Sequence, residues 1–100
     1  MTRDEIVEFL TEQVGDDETL LLADGFEGAF IGISSRGFNG PPCAVYDRNK
    51  CIGILMLRDG MTFEEAEEFF DFNVGGAWLG YQTPIYLTPI KPVLVERADV

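Results

Sequence analysis

One hundred residues make a single domain long enough to bury a core without disulfide or metal staples, and a chain that is 46% hydrophobic and 12% aromatic has the material for one. Eighteen Asp and Glu against seven Lys and Arg give a net charge of −11, which excludes direct binding of nucleic acid or an anionic membrane, because both need a basic surface to displace counterions. No apolar run approaches the roughly 18 to 20 residues that span a bilayer, and "MTRDEIVEF" is too acidic for a signal peptide, so the cytoplasm is the expected compartment.

The first element opens on "TRDE", where Thr2 and Glu5 have the spacing of a capping box and Met1 and Ile6 that of its hydrophobic staple. Helical periodicity puts Ile6, Val7, Phe9, Leu10 and Val14 on one side and Asp4, Glu5, Glu8 and Glu12 on the other, with an end near Gly15. In "GDDETLLLADG", Leu20 to Leu22 read equally as a short buried strand or a turn of helix. "AFIGIS" and "CAVYD" read as two strands joined by the loop "SRGFNGPP". Phe38, in the middle of that loop, either tucks back as a lid on the core or faces a partner.

Asp47 has the position of an N-cap for "RNKCIGILMLRDG", a helix whose Ile52, Ile54, Leu55, Met56 and Leu57 leave little polar face and predict burial on most sides. Gly60 stops it, and "MTFE" opens the next helix with a second capping box, Thr62 to Glu65, stapled by Met61 and Ala66. These two helices pair through a turn, but Glu64, Glu65, Glu67 and Glu68 would repel phosphates where a DNA-recognition helix must approach them. On the last helix Phe63, Ala66, Phe70, Val74, Ala77 and Trp78 share a core stripe. Phe72 and Leu79 fall on the opposite side among Glu65 and Glu68, with Phe69 between the faces. Either the C-terminal tail or the first helix covers them, or they form an aromatic anchor ringed by carboxylates, as in an interface hot spot. Gly75 and Gly76 either end this helix early or permit close packing.

Pro84, Pro89 and Pro92 confine Ile85 to Thr88 to an edge strand; Val93 to Glu96 reads as another short strand, with a frayed end after it. The expected architecture is α+β, a small antiparallel sheet of about three strands with about three helices packed on it.

Charge runs acidic, mildly basic, acidic: nine acids and one base to Gly28, one acid and four bases from Ala29 to Arg58, eight acids and two bases thereafter. This pattern suits a basic partner and equally suits solubility alone. Lacking histidine and any CxxC, the chain is expected to hold no metal or cofactor, and Cys43 and Cys51 are expected to be free thiols. Neither cysteine has a base at a recognisable spacing, so no enzymatic role is expected. Asp24, Glu27 and Tyr46 are the residues a small-ligand site would use, although "ADGFEG" reads first as a turn in which Asp24 bonds its own backbone and Gly25 takes positive φ.

The stretches "ADGFEGAFIGI", "AVYDRNKCI", "RDGMTFEEAEEFFDFNVGGAWLG" and "TPIYL" together resemble a group of small acidic proteins encoded in bacteriophage and prophage genomes. The chain departs from that pattern at "VGG", where a bulkier residue is expected in place of one glycine. The resemblance implies a context rather than a chemistry: an inhibitor of a host defence complex, similar to some anti-CRISPR proteins, that occupies a basic nucleic-acid channel. Glu5, Glu8 and Glu12, or the face of Glu64, Glu65, Glu68 and Asp71, would then stand in for phosphates, with Phe72 as anchor and a basic, nucleic-acid-handling host protein as partner. The alternative is a self-associating phage accessory or structural protein, a homodimer through Phe72, whose acidity only keeps it soluble.

Overall fold

A computed structural model describes residues 2–14, 20–35, 37 and 40–90. Met1, Gly15, Phe38 and the expected strand at Val93 to Glu96 with its frayed end lie outside the described residues. The fold is α+β, with three helices and a three-stranded sheet among the described residues, in the order α1 (Arg3–Val14), a 3-10 turn (Glu27–Ala29), β1 (Phe30–Ser35), β2 (Pro42–Asp47), α2 (Arg48–Asp59), α3 (Phe63–Phe70), a π-turn (Asp71–Gly75) and β3 (Ile85–Leu87).

The helix boundaries follow from backbone chemistry. The first amides of a helix have no partner inside it, and side-chain oxygens supply one. Thr2 Oγ1 accepts from the Glu5 amide at 3.2 Å while Glu5 accepts from the Thr2 amide at 3.0 Å, and Thr62 and Glu65 repeat the exchange at 3.2 and 3.0 Å. Asp47 Oδ1 accepts from the Lys50 amide at 3.1 Å and starts α2 at the last residue of β2. Gly60 ends α2 at φ 68°, a left-handed conformation that costs glycine nothing.

The sheet corrects the antiparallel expectation. β1 and β2 pair antiparallel, with a bulge between Phe30 and Gly32 that leaves Ile31 outside the register. β3, however, pairs with β2 in parallel, Val45 with Ile85 through Asp47 with Leu87. Parallel strands need a long crossover, and the stretch from Arg48 to Pro84, carrying α2, α3 and the π-turn, supplies it. The strand order β1-β2-β3 leaves β3 at an edge, as its flanking prolines require.

Ile6 and Leu10 of α1, Phe26, Ala29, Phe30, Ala44, Tyr46, Cys51, Ile52, Leu55, Ala66 and Phe70 form the core. Through it runs an unbroken chain of six rings: Phe9, Phe30, Tyr46, Tyr86, Phe70 and Phe26, with successive centroids 5.0 to 6.4 Å apart. All but the Tyr46 and Tyr86 pair meet edge to face, the arrangement that ring quadrupoles favour. Two arginines from opposite ends of α2 lie over this chain, Arg48 5.6 Å from the Phe70 centroid and Arg58 5.5 Å from that of Phe26.

Two expectations about the helices are overturned. α2 buries one face, Cys51, Ile52 and Leu55, while Leu57 is 90% exposed and Met56 is also exposed. A helix against a single sheet and one neighbouring helix has only that one face to hide, so the apolar run outlasts the surface available to cover it. In α3 the core stripe holds at Ala66 and Phe70 but fails at its ends, since Phe63 and Trp78 are both exposed. Phe63 is the first residue of its helix, and Cβ vectors tilt toward the N-terminus, which carries its ring past the core. Trp78 lies beyond the point where the π-turn breaks helical periodicity and ends the helix before Ala77.

Candidate protein-binding face

The outer side of α3 and the π-turn form an open groove of about 370 Å³ lined by Met61, Glu65, Glu68, Phe69, Phe72 and Asn73. Each side chain has a local reason to be there. The capping box fixes the first turn of α3 and the outward direction of Glu64 and Glu65. Phe72 follows the buried Phe70 by two residues, which turns it to the opposite side, and it is 78% exposed. Asn73 donates from its side chain to the Phe69 carbonyl at 3.1 Å and ties the turn back onto the helix.

Glycine is required just beyond. A Cβ at Gly76 would come within 2.7 Å of the Asp71 carbonyl oxygen, and one at Gly75 within 2.9 Å of the Phe70 ring. Gly75 and Gly76 are thus the residues that let the π-turn close.

The carboxylates divide into three groups. Glu5 and Glu65 are held below the usual carboxylate range by the amide hydrogen bonds of their own capping boxes, from Thr2 and Thr62 respectively, and stay charged well into acid. Asp71 is engaged internally: Arg48 donates to it at 2.9 Å and reaches Glu67 at 3.8 Å. Its charge is therefore largely spent inside the molecule, which weakens it as a stand-in for phosphate. Glu8, Glu12, Glu64 and Glu68 are exposed and have no ion-pair partner among the described residues. The α1 carboxylates Glu5, Glu8 and Glu12 line a separate exposed stripe, and none of them lines the α3 groove. Phe38 lies outside the described residues.

The residues of the small-ligand expectation are each engaged within the fold. Tyr46 is 1% exposed, and its hydroxyl accepts from the Ala23 amide at 2.9 Å, a bond that anchors the loop before the 3-10 turn. Asp24 pairs with Arg3. Gly25 takes φ 91° as expected, but the side chain that bonds this turn is Glu27, which accepts from the Gly25 amide at 3.3 Å, rather than Asp24.

Both cysteines are free and fully buried. Cys43 donates to the Tyr81 carbonyl at 3.0 Å, and burial pushes the Cys51 thiol up to about 12. A protonated, inaccessible thiol is a poor nucleophile, so their arrangement is that of structural cysteines. Among the described residues no group of three or more His, Cys, Asp or Glu is placed to hold a metal ion, and no helix is long and apolar enough to cross a membrane.

Sequence reasoning placed Leu79 outward but put Trp78 in the core stripe and did not single out Tyr81; the structure exposes Trp78, Leu79 and Tyr81 together, at 61, 65 and 72%. The signal available was the absence of any charged residue between Asp71 and Lys91, in a chain where one residue in four is charged. Set against protein-family models, curated proteins and solved structures, the chain matches none.

Proposed function

We propose that this protein is a non-catalytic binding protein whose α3 face docks onto a basic surface of another protein. The observation that carries the reading is Phe72, 78% exposed on an ordered turn, in a groove shared with Phe69, Glu65 and Glu68. Solubility accounts for the glutamates but gives no reason to hold two phenylalanines outward among them. An aromatic ring flanked by carboxylates suits a partner that offers an apolar pocket rimmed by Lys or Arg. The charges speed encounter and confer salt sensitivity, and the buried ring lengthens residence.

The specific form we favour follows the phage resemblance: an inhibitor acting in the bacterial cytoplasm on a nucleic-acid-handling host defence complex, in the manner of an anti-CRISPR protein. With Asp71 tied to Arg48, the contact set narrows to Glu64, Glu65, Glu68, Phe69 and Phe72, with Glu5, Glu8 and Glu12 as a second acidic stripe. Such a surface resembles an aromatic plug with an acidic rim more than an extended phosphate ladder.

The test is a tagged pull-down from a bacterial lysate carrying intact defence systems, eluted by a salt gradient and read by mass spectrometry. One basic, nucleic-acid-handling protein should elute at moderate salt, and should be lost when Glu64→Lys and Glu68→Lys are combined with Glu65 kept to preserve the cap. Recovery of the bait alone, or capture that survives this double reversal, overturns the reading.

A further inference from the structure

The uncharged aromatic patch lies outside the acidic groove and has its own construction. Trp78 and Tyr81 meet edge to face with centroids 5.8 Å apart, both mostly exposed. Beneath them Thr83 is buried and organises the loop: its hydroxyl donates to the Gly80 carbonyl at 2.6 Å and accepts from the Leu79 amide at 2.7 Å, and its own amide reaches the same carbonyl at 3.1 Å. Gly80 turns the chain at φ 103°, and the Cys43 thiol holds the Tyr81 carbonyl from β2. The two rings are therefore displayed by an ordered loop, so covering them carries little ordering entropy.

Which partner suits this surface follows from charge. A chain of net −11 repels its own copies at long range, and carboxylate facing carboxylate would oppose any pairing through α1 or α3. A foreign basic partner gains from those acids and is drawn to them. A like copy needs a contact without carboxylates, and the stretch between Asp71 and Lys91 is the longest in the chain without any charged residue.

We infer that Trp78, Leu79 and Tyr81 form a self-association face, through which two copies of this chain pair about a two-fold axis. Pairing by strand addition on β3 is disfavoured, because that edge is three residues long and flanked by Pro84 and Pro89. At 61 and 72% exposure, rings of about 150 to 250 Å² each contribute about 400 to 650 Å² across a symmetric contact. That is below the roughly 1,200 Å² of a stable complex, so the dimer is weak and concentration-dependent. The inference does not rest on the proposed α3 function, because none of Trp78, Leu79 and Tyr81 lines the α3 groove.

The experiment is sedimentation velocity on the full chain from about 5 to about 500 µM, at low and high salt. The expected result is a rise toward dimer with concentration that strengthens with salt, since screening relieves like-charge repulsion while leaving apolar contact intact. Tyr81→Lys and Trp78→Gln should each weaken dimerisation at least about tenfold, and Phe72→Ala should leave it unchanged. Each variant is first checked by its melting curve, and the conclusion is drawn from whichever melts like the parent. A monomer at every concentration, a dimer that dissolves as salt rises, or a dimer indifferent to a folded Tyr81 or Trp78 variant overturns the inference.

Discussion

Two sets of aromatic residues, nearly equal in number, divide this protein. Phe9, Phe26, Phe30, Tyr46, Phe70 and Tyr86 meet ring to ring through the interior, whereas Phe63, Phe69, Phe72, Trp78 and Tyr81 stand outward. Phe70 and Phe72 show the contrast best, two positions apart at 1 and 78% exposure. Residue type is the same; what differs is whether the backbone has a packed surface to turn toward. The inner set holds the fold, and the outer set is exposed.

The comparison breaks most directly at Phe70. Phe70→Ala should destabilise the protein by about 3 to 5 kcal/mol, as large-to-small changes at fully packed aromatic sites do, seen as a lower urea midpoint at unchanged slope. A loss near zero would mean that the inner rings are not the framework.

Alkaline pH attacks the same interior. Burial raises Cys51 and Tyr86 to about 12, from unfolded values of 9.0 and 10.0. Between those limits the unfolded chain has released protons that the folded chain retains, so the stability held at neutral pH should be lost progressively as pH rises above about 9. Urea midpoints measured against pH check the sign.

Gly76→Ala probes the hinge between the two sets. Its Cβ would meet the backbone oxygen of Asp71, which cannot swing aside, so about 1 to 3 kcal/mol should be lost, with a change in Trp78 fluorescence if the π-turn re-forms as α-helix. Thr62→Ala removes a cap and should cost about 1 kcal/mol in the same denaturation assay. Phe72→Ala should shift stability by less than about 0.5 kcal/mol while impairing partner capture. A large stability loss there would place Phe72 in the framework instead.

Local chemistry was legible in the sequence where it is set by neighbours within four residues. Both capping boxes, the Asp47 cap, the Gly60 stop, the two strands and the edge position of Ile85 all follow from such spacing. The parallel pairing of β3 was harder to read, because strand direction depends on where a 37-residue crossover returns. The stripe on α3 was right at Ala66 and Phe70 but wrong at Phe63, the first helical residue, and at Trp78, since a constant angle per residue does not survive a change in hydrogen-bond pattern. Likewise, apolar content alone could not reveal that α2 has a single covered side, leaving Leu57 in solvent. Of the candidate site, Phe72 with Glu65 and Glu68 was anticipated as a neighbourhood; the diversion of Asp71 to Arg48, distant in sequence, was not.

Tyr86 stacks on Tyr46 on one side and meets Phe70 edge-on on the other, and it belongs to the last strand described. Until β3 pairs with β2 the ring series is therefore two separate halves, Phe9 to Tyr46 and Phe26 with Phe70. A folding chain in which β3 has not yet paired presents both halves uncovered, and this is the form that chaperones and proteases would meet.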